Sequence, residues 1–471
     1  MSESGPVLML FRQDLRLDDN PALRAAADSG RPVICAFILD DEEGPWAWGG
    51  ASRWWLHHSL AALDGQLHLL GGRLVYRRGP LKDVLPQLVT ETGCGTVFWN
   101  TRLKPHASAC DEETAALLGE RGIRVRTHLA ALMIEPDALA TGQGKPYQVF
   151  TPYWKKFIAT PRVPRPLDAP TRLNPVPQPD GPPLESLELL PTIPWDGGLQ
   201  EMWNPGAEAA KVLLQRFLKD PLEHYDEGRD RPAVDGTSRL SPHLHWGEIS
   251  PRRLWHVCHG RPGAEPWLRQ LVWREFAYQM LHHFPHTPDH PLREEFAAFP
   301  WDGDPAWLSA WQKGETGYPL VDAGMRQLWH TGWMHNRVRM VVASFLIKHL
   351  LRPWQEGARW FWDTLVDADL ANNTFGWQWT AGCGADASPY FRIFNPISQG
   401  RKFQAEEYIR QWVPQLRRVP DKLLHEPWTG SQAALGQAGI RLGRDYPRPI
   451  VDHKEARQRA LDSYRQMKAG S

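Results

Sequence analysis

The sequence predicts an α/β N-terminal domain with a doubly wound parallel sheet, joined by a long linker to an all-helical domain. Three observations support this. Short apolar runs alternate with helical patterns in the first third, a proline-rich stretch without periodicity follows, and a helical period dominates from about residue 204. The 471 residues suffice for two or three domains. We expect boundaries at residues 1–132, 133–203 and 204–471.

Five short apolar or β-branched runs in the first third read as strands, and each precedes loop residues and a helix-like pattern such as Ser52–Leu70. This alternation predicts a parallel sheet. The predicted strands are Val7–Phe11, Val33–Leu39, Arg73–Arg77, Thr96–Asn100 and Arg124–His128.

Ligands of such sheets bind beyond the carboxyl ends of the strands. The segment Phe11–Asn20 lies at the carboxyl end of the first predicted strand. It carries four charged residues at close spacing, namely Arg12, Asp14, Arg16 and Asp18. This segment is either part of a ligand site or a solvated turn held by salt bridges.

The segment from about Met133 to Pro194 carries many prolines and no regular period, which favours an extended connector lying against the surface. Beyond it, three segments have a clear helical period: Ala207–Leu218, Trp267–Phe284 and Gly332–Leu351. We therefore expect the rest of the chain to be helical.

Charge and cysteine content narrow the class of protein. Lys and Arg together number 54 and so do Asp and Glu, so the net charge is zero and any nucleic-acid binding must use a local basic patch. Five cysteines without a CxxC pair indicate reduced thiols in a cytoplasmic protein. The first residues do not resemble a signal peptide, and no apolar stretch is long enough for a membrane span.

The chain has an unusually large number of tryptophans, 24 in all. Seventeen of them lie between residues 201 and 471 next to polar residues, so core packing alone does not explain their number. Two helical patterns place polar and aromatic residues on one face. The first face carries Trp267, Gln270, Trp273, Arg274 and Ala277, and the second carries Asn336, Arg339, Met340 and Ala343.

An Asn and an Arg on a mostly buried helix need partners. Asp367 and Asp369 could supply carboxylates, and Asn373 could supply an amide. A buried structural salt-bridge network is the alternative to a ligand site.

A further segment, Thr237–Ser241 followed by Pro242, offers hydroxyls and a guanidinium at a predicted helix start, with Ser241 as N-cap. Such a start suits a pyrophosphate, although a capped helix without a ligand is common. The GxGxxA match at Gly382–Ala387 is not a dinucleotide fingerprint, because it follows WQWTA and no strand.

Three segments together resemble the DNA photolyase and cryptochrome family, and most closely the class I cyclobutane pyrimidine dimer photolyases. They are FRQDLRLDDNPAL at Phe11–Leu23, DGTSRLSPHLHWGEISPR at Asp235–Arg252, and Thr316–Pro396 with its GWMHNRVRM and LVDADLANNTFGWQW. They occur in the family's order and span most of the chain. The resemblance implies light-driven DNA repair by a deoxyribodipyrimidine photo-lyase.

The resemblance also implies FAD as cofactor, with Asn336 facing the redox-active edge of the flavin. The implied FAD-binding residues are Tyr225, Thr237, Ser238, Arg239, Leu240, Ser241, Trp267, Arg274, Asn336, Arg339, Asp367, Asp369 and Asn373. The family's electron-carrying tryptophan chain matches Trp377, Trp354 and Trp301.

The family's substrate is ultraviolet-damaged DNA with a flipped-out pyrimidine dimer. Trp273 and Trp379 would form the aromatic walls for the dimer, and Met340 would add an apolar contact. Arg229, Arg337, Arg392 and Gln399 match positions that hold the flanking DNA backbone. We expect a monomer.

One position departs from the cyclobutane-dimer enzymes, which usually carry Glu where this chain has Gln270. Gln there resembles six-four photolyases and animal cryptochromes. However, the second catalytic His of the six-four enzymes is Met340 here, so cyclobutane dimers stay the expected lesion and Gln270 an expected lesion contact.

Other possibilities remain open. A cryptochrome-type photoreceptor is one alternative, which the short stretch after the helical pattern disfavours, and a flavoprotein unrelated to light is another. Family members also bind an antenna, 5,10-methenyltetrahydrofolate or a deazaflavin, and Trp99–Glu113 lies where either would touch. The histidines at 282, 283 and 286 are interrupted by a proline and lack an obvious carboxylate, so we assign no metal ligands.

Overall fold

A computed structural model describes residues 5–41, 44–160, 162–174, 176–177 and 179–469, so the ends of the predicted first and last domains lie outside the described residues. The five strands form one parallel sheet in the order β3-β2-β1-β4-β5. Four have the predicted bounds and the third begins one residue later: β1 Val7–Phe11, β2 Val33–Leu39, β3 Leu74–Arg78, β4 Thr96–Asn100 and β5 Arg124–His128.

The central strands are buried on both faces, as a doubly wound sheet requires. In β1, Val7, Met9 and Phe11 enter one hydrophobic core, whereas Leu8 and Leu10 enter another. Two helices pack on each face: α1 Pro21–Asp28 and α2 Gly50–Leu69 on the first, α3 Leu81–Thr92 and α4 Pro105–Glu120 on the second.

The connector is more ordered than its composition predicts. It contains the 3-10 helices Pro136–Ala138 and Leu184–Leu187 and the α-helices α5 Phe150–Ala159 and α6 Gly197–Met202. In α5, the buried residues Phe150, Tyr153, Trp154 and Phe157 recur at helical spacing. The prediction of an aperiodic stretch was wrong here, because the surrounding prolines obscured this short amphipathic pattern.

The rest of the chain is helical, as predicted. Its α-helices are α7 Ala207–Lys219, α8 Tyr225–Gly228, α9 Ser241–His245, α10 Pro251–Cys258, α11 Ala264–His283, α12 Pro305–Lys313, α13 Pro319–Thr331, α14 Asn336–Ser344, α15 Trp354–Thr364, α16 Leu370–Ala381, α17 Pro396–Lys402, α18 Glu406–Trp412, α19 Asp421–Leu424, α20 Gln432–Gln437 and α21 His453–Ala469. Further 3-10 helices lie at Glu294–Ala298, Pro414–Leu416 and Pro427–Thr429. None of the described helices is long and apolar enough to cross a membrane, and all five cysteines are free thiols.

The helix predicted over Gly332–Leu351 is shorter than expected. Gly332 ends the preceding helix with φ +64°, and His335 caps α14 by accepting a hydrogen bond from the Arg337 N–H. After Ser344 the backbone continues as a π-helical turn over Phe345–His349. The periodicity was correct, but the turn before α14 carries apolar residues that resemble a helical face.

The charged turn after β1 connects the two halves of the molecule and is not a solvated loop. Buried Asp19 forms an ion pair with Arg252 at 2.9 Å. Buried Arg16 donates hydrogen bonds to the carbonyls of Gly247, at 2.7 Å, and Ala130, at 3.0 Å. We call Arg16, Asp19 and Arg252 the interdomain clasp. Charges removed from water are stable only when they are paired, so the clasp fixes the helical domain against the sheet.

A second buried carboxyl lies where the connector meets α11. Glu275 Oε2 accepts hydrogen bonds from the backbone N–H groups of Met133, at 2.9 Å, and Ile134, at 3.4 Å. Its Oε1 lies 3.8 Å from Arg274 and accepts no hydrogen bond. Burial raises the pKa of Glu275 from 4.5 to about 7, despite the positive charge of Arg274.

This raised pKa predicts a pH dependence of stability. Between pH 4.5 and about 7 the folded state holds a proton that the unfolded chain has lost, so the free energy of unfolding falls as pH rises through this window. Across this window the free energy of unfolding falls by on the order of 3 kcal/mol. Gln cannot ionise, so Glu275→Gln should gain stability relative to wild type between pH 5 and pH 8, measured as urea midpoints. Glu265→Gln, an exposed change on the same helix, is the control. Parallel pH profiles for wild type and Glu275→Gln would contradict this assignment.

Candidate functional site

A deep cleft lies among α11, α14 and α16 and contains two adjoining cavities of about 410 Å³ and about 310 Å³. Each is large enough for part of a drug-sized ligand. Because they share lining residues, the two cavities form one continuous cleft. The shared residues are Arg229, Gln270, Asn336, Arg339, Asp367 and Asn372.

The smaller cavity collects nearly all residues expected to bind FAD. Twelve of the thirteen line it, whereas Asn373 lines the larger cavity. At its wall, the loop Thr237–Ser241 turns through Arg239, a non-glycine residue with φ +52°. Ser241 begins α9 and Leu240 is the cap residue, so the predicted Ser241 N-cap was wrong by one position.

The predicted partner of the α14 arginine is present. Arg339 Nη2 lies 2.9 Å and 3.1 Å from the two carboxylate oxygens of Asp367, and its Nε donates to the Met334 carbonyl at 2.7 Å. The guanidinium groups of Arg239 and Arg339 also lie over the Trp333 ring, at 5.6 Å and 6.0 Å. Trp333 lines the smaller cavity and was missed, although it precedes the Met-His-Asn motif directly.

Asp369 is a buried carboxylate of the cleft. It caps α16 by accepting from the Asn372 N–H at 2.9 Å, and it accepts a short hydrogen bond from the Tyr278 hydroxyl. Burial alone would raise its pKa, but the nearby His245 and Arg274 hold the pKa of Asp369 well below its usual range. Asp369 is therefore a fixed negative charge.

Sequence reasoning missed His245, Tyr278 and Asn372. Burial lowers the pKa of His245, whose Nδ1 lies 3.8 Å from Asp369. Tyr278 stands one helical turn beyond Arg274, whose guanidinium lies 4.8 Å from its ring centre. The i,i+4 spacing from Arg274 could have identified Tyr278 as a residue of the same helix face. The position of His245 within the DGTSRLSPHLHWGE segment could have identified it as a cleft residue.

The larger cavity is lined by the residues expected to contact the lesion, which are Gln270, Trp273, Met340 and Trp379. Trp377 and two of the expected backbone-binding residues, Arg229 and Arg337, line it as well. Trp273 stacks on Phe150 of α5 with ring centres 3.6 Å apart and planes 9° apart. One face of Trp273 is therefore covered by the connector. The Arg269 guanidinium lies 5.4 Å from the centre of the Phe150 ring.

The expected DNA-backbone residues divide into two groups. Arg337 and Arg229 lie at the cleft, where Arg337 is paired with Asp230 at 2.6 Å and Arg229 lies over the Tyr225 ring. Arg392 and Gln399 do not line either cavity. Arg392 is exposed beside Phe394, and Gln399 lies on α17.

The three expected chain tryptophans lie in or against one hydrophobic core. Trp377 and Trp354 are buried in it, and the partly exposed Trp301 packs against it. Gly357 of α15 touches the Trp377 ring so closely that a Cβ would lie 2.1 Å from a ring carbon. Fully buried Trp311, which was not predicted, has its ring centre 6.2 Å from that of Trp377.

The chemistry of the cleft fits a flavin dinucleotide. The hydroxyls of Thr237, Ser238 and Ser241 with Arg239 suit a pyrophosphate. The Arg339–Asp367 pair offers both a donor and an acceptor, as the polar edge of a flavin ring does. Trp267 adds an apolar wall.

Comparisons with known proteins agree with this fit. Residues 7–174 match the family described as DNA photolyase, and residues 267–466 match the FAD binding domain of DNA photolyase. The deoxyribodipyrimidine photo-lyase of Agrobacterium fabrum is 47% identical, covering 99% of this chain and 99% of its own length. Cryptochrome-1 of Arabidopsis thaliana is 37% identical, covering 98% of this chain and 70% of its own.

A solved structure corrects the expected subgroup. A bacterial class III photolyase from Agrobacterium tumefaciens matches with a TM-score of 0.96 and 47% identity, over 100% of this chain and 99% of that one. The likeness is thus to a class III enzyme and not, as expected, to class I. The predicted α/β and helical architecture is confirmed, and the chain belongs to the DNA photolyase and cryptochrome family.

Proposed function

We propose that this protein is a light-driven DNA repair enzyme that splits cyclobutane pyrimidine dimers and uses FAD. One observation carries the proposal: the residues suited to FAD and the residues suited to a flipped dimer line two adjoining cavities of one cleft, and these two cavities share six lining residues. Cofactor and lesion would then meet without intervening protein. The similarity over the full chain to a deoxyribodipyrimidine photo-lyase supports the same function.

The chain's own residues would hold FAD in two places. Thr237, Ser238, Arg239 and Ser241 would bind the pyrophosphate, and Asn336 with the Arg339–Asp367 pair would orient the flavin ring. Bound reduced FAD would supply, on excitation by blue light, the electron that opens the cyclobutane ring, and would recover it afterwards. The buried charge of Asp369, which lies near Arg274 and accepts a hydrogen bond from Tyr278, would keep this end of the cleft rigid.

The lesion would lie between aromatic walls. Trp273 has one face fixed by Phe150, so its other face is preorganised for stacking with a base. Gln270 donates one N–H back to the Pro266 carbonyl at 3.3 Å, which leaves a second N–H and Oε1 for the lesion. Met340 adds a soft apolar contact.

Four residues would hold the flanking DNA backbone without reading its sequence: Arg229, Arg337, Arg392 and Gln399. Arg392 and Gln399 lie outside the cavities, which fits contacts to neighbouring nucleotides and not to the lesion. Trp377, Trp354 and Trp301 would pass electrons inward from the surface, because Trp301 is partly exposed whereas Trp354 and Trp377 are buried.

Three finer features belong to the same proposal. We keep as predictions the domain bounds at residues 1–132, 133–203 and 204–471. The monomeric state is also still a prediction. An antenna, 5,10-methenyltetrahydrofolate or a deazaflavin, would contact Trp99–Glu113, which covers the end of β4 and the start of α4.

A cryptochrome-type photoreceptor is the second candidate, since Cryptochrome-1 of Arabidopsis thaliana is similar over nearly the whole chain. Repair of six-four lesions is the third, favoured by Gln270. Light-dependent recovery of thymine absorbance from DNA carrying each lesion separately distinguishes them. Recovery with cyclobutane dimers supports the proposal, whereas bound, reduced flavin with no repair of either lesion favours the photoreceptor.

Asp367→Ala should weaken flavin binding. The change strands the Arg339 guanidinium in the cleft, at roughly 1–3 kcal/mol, so flavin affinity should fall by roughly 5- to 150-fold. Flavin absorbance per protein after dialysis measures this. Asp421→Ala removes the carboxylate of an exposed ion pair with Arg410 and should keep full occupancy. Equal flavin content in the two variants would refute the role of Asp367.

Trp377→Phe should strongly slow photoreduction of oxidised flavin but leave repair by chemically pre-reduced protein largely intact. The reason is that the chain feeds the flavin, while repair runs between flavin and lesion. Trp428→Phe, in a residue that packs against the same core but does not line either cavity, is the control. Loss of both activities in Trp377→Phe would indicate a structural role.

Gln270→Leu should lower lesion affinity by the worth of one hydrogen bond, roughly 1 kcal/mol, and should lower the yield of repair. Gln270→Glu should keep cyclobutane-dimer repair, because Glu is the usual residue at this place in the cyclobutane-dimer enzymes that the chain resembles. Binding of dimer-containing oligonucleotides in the dark, followed by illumination, measures both effects. Unchanged affinity in Gln270→Leu would place Gln270 outside the lesion contacts.

A further inference from the structure

Two adjacent histidines at the end of α11 meet a carboxylate from the connector. His282 Nε2 lies 3.0 Å from Asp137 Oδ2, and His283 Nε2 lies 3.2 Å from Asp137 Oδ1. The ligand atoms of these residues all lie within 4.8 Å of one another. The carboxylate that the sequence did not reveal thus comes from a residue 145 positions before His282.

The carboxylate is held in place by α11 itself. Asp137 belongs to the 3-10 helix Pro136–Ala138. Fully buried Gln279 of α11 donates hydrogen bonds to the carbonyls of Pro136, at 3.2 Å, and Leu139, at 2.7 Å, on both sides of Asp137. One turn of α11 therefore positions both the two imidazoles and the loop that carries the third ligand.

Each of the two nitrogen–oxygen separations is one that two ligands of a single small cation can have. Two atoms each about 2.1 Å from a zinc ion lie about 3.0–3.4 Å apart when the angle between their bonds is square or tetrahedral. All three side chains are partly exposed, so water can complete the coordination.

We propose that Asp137, His282 and His283 form a binding site for a divalent transition metal such as Zn²⁺. Imidazole and carboxylate together suit Zn²⁺ and similar ions, and not Mg²⁺ or Ca²⁺, which take oxygen ligands. The bound ion joins the connector to the C-terminal end of α11. Since Gln270, Trp273 and Arg274 lie on the same helix, the ion braces the helix that lines the cleft without entering it.

The test uses the full-length protein without a histidine tag, stripped with a chelator, and titrates Zn²⁺ by calorimetry at pH 7.5. Wild type should bind one equivalent that Asp137→Asn and His283→Ala weaken by at least roughly tenfold, since even changes around a metal's ligands cost 10–100-fold. His286→Ala, an exposed histidine just beyond the helix, should bind Zn²⁺ as wild type does. Flavin content and circular dichroism confirm that each variant is folded.

Zn²⁺ should also raise the thermal unfolding midpoint of wild type and of His286→Ala but not that of Asp137→Asn. The proposal is overturned if wild type takes up no Zn²⁺, or if Asp137→Asn and His283→Ala bind it as tightly as wild type. In either case the three side chains form only a hydrogen-bonded pair of histidines around one carboxylate.

Discussion

The interdomain clasp determines where the cleft can form. Asp19 and Arg252 are removed from water and pair with each other, so the turn between β1 and α1 docks against the start of α10 through a buried ion pair. Arg16 adds hydrogen bonds to the Gly247 carbonyl, just beyond α9. The loop before α9 is the one suited to a pyrophosphate. A strand in the sheet domain therefore sets the position of a ligand loop in the helical domain.

Inside the cleft, polarity and rigidity have the same cause. Arg339, Asp367 and Asp369 are enclosed, and each is satisfied by a fixed partner before any ligand binds. Such groups cost little to reorganise when charge moves nearby, because their orientation does not depend on mobile water. A cleft of this kind suits electron transfer better than acid–base chemistry.

Features that depend on short sequence segments could be predicted, whereas contacts between residues far apart in the sequence could not. The strand bounds and the shared face of Asn336, Arg339, Met340 and Ala343 follow from periods of two and 3.6 residues, which are properties of short segments. The pairing of Asp137 with His282, and the coverage of Trp273 by Phe150, join residues over 100 positions apart, and no local period encodes them. The family resemblance supplied most of the cleft residues but gave class I, where the solved structure it matches is class III.

The stack of Phe150 on Trp273 bears on how this protein can be divided and recombined. A chimera joined at residue 203 would combine the Trp273 of one parent with the backing ring of another. The same holds for natural recombination at that point. A segment that carries the complete pocket wall must therefore begin before Phe150. That starting point lies within the connector, which its composition alone would class as a linker. Loop-like segments between modules should therefore be assigned to a module by the surface they cover and not by their sequence character.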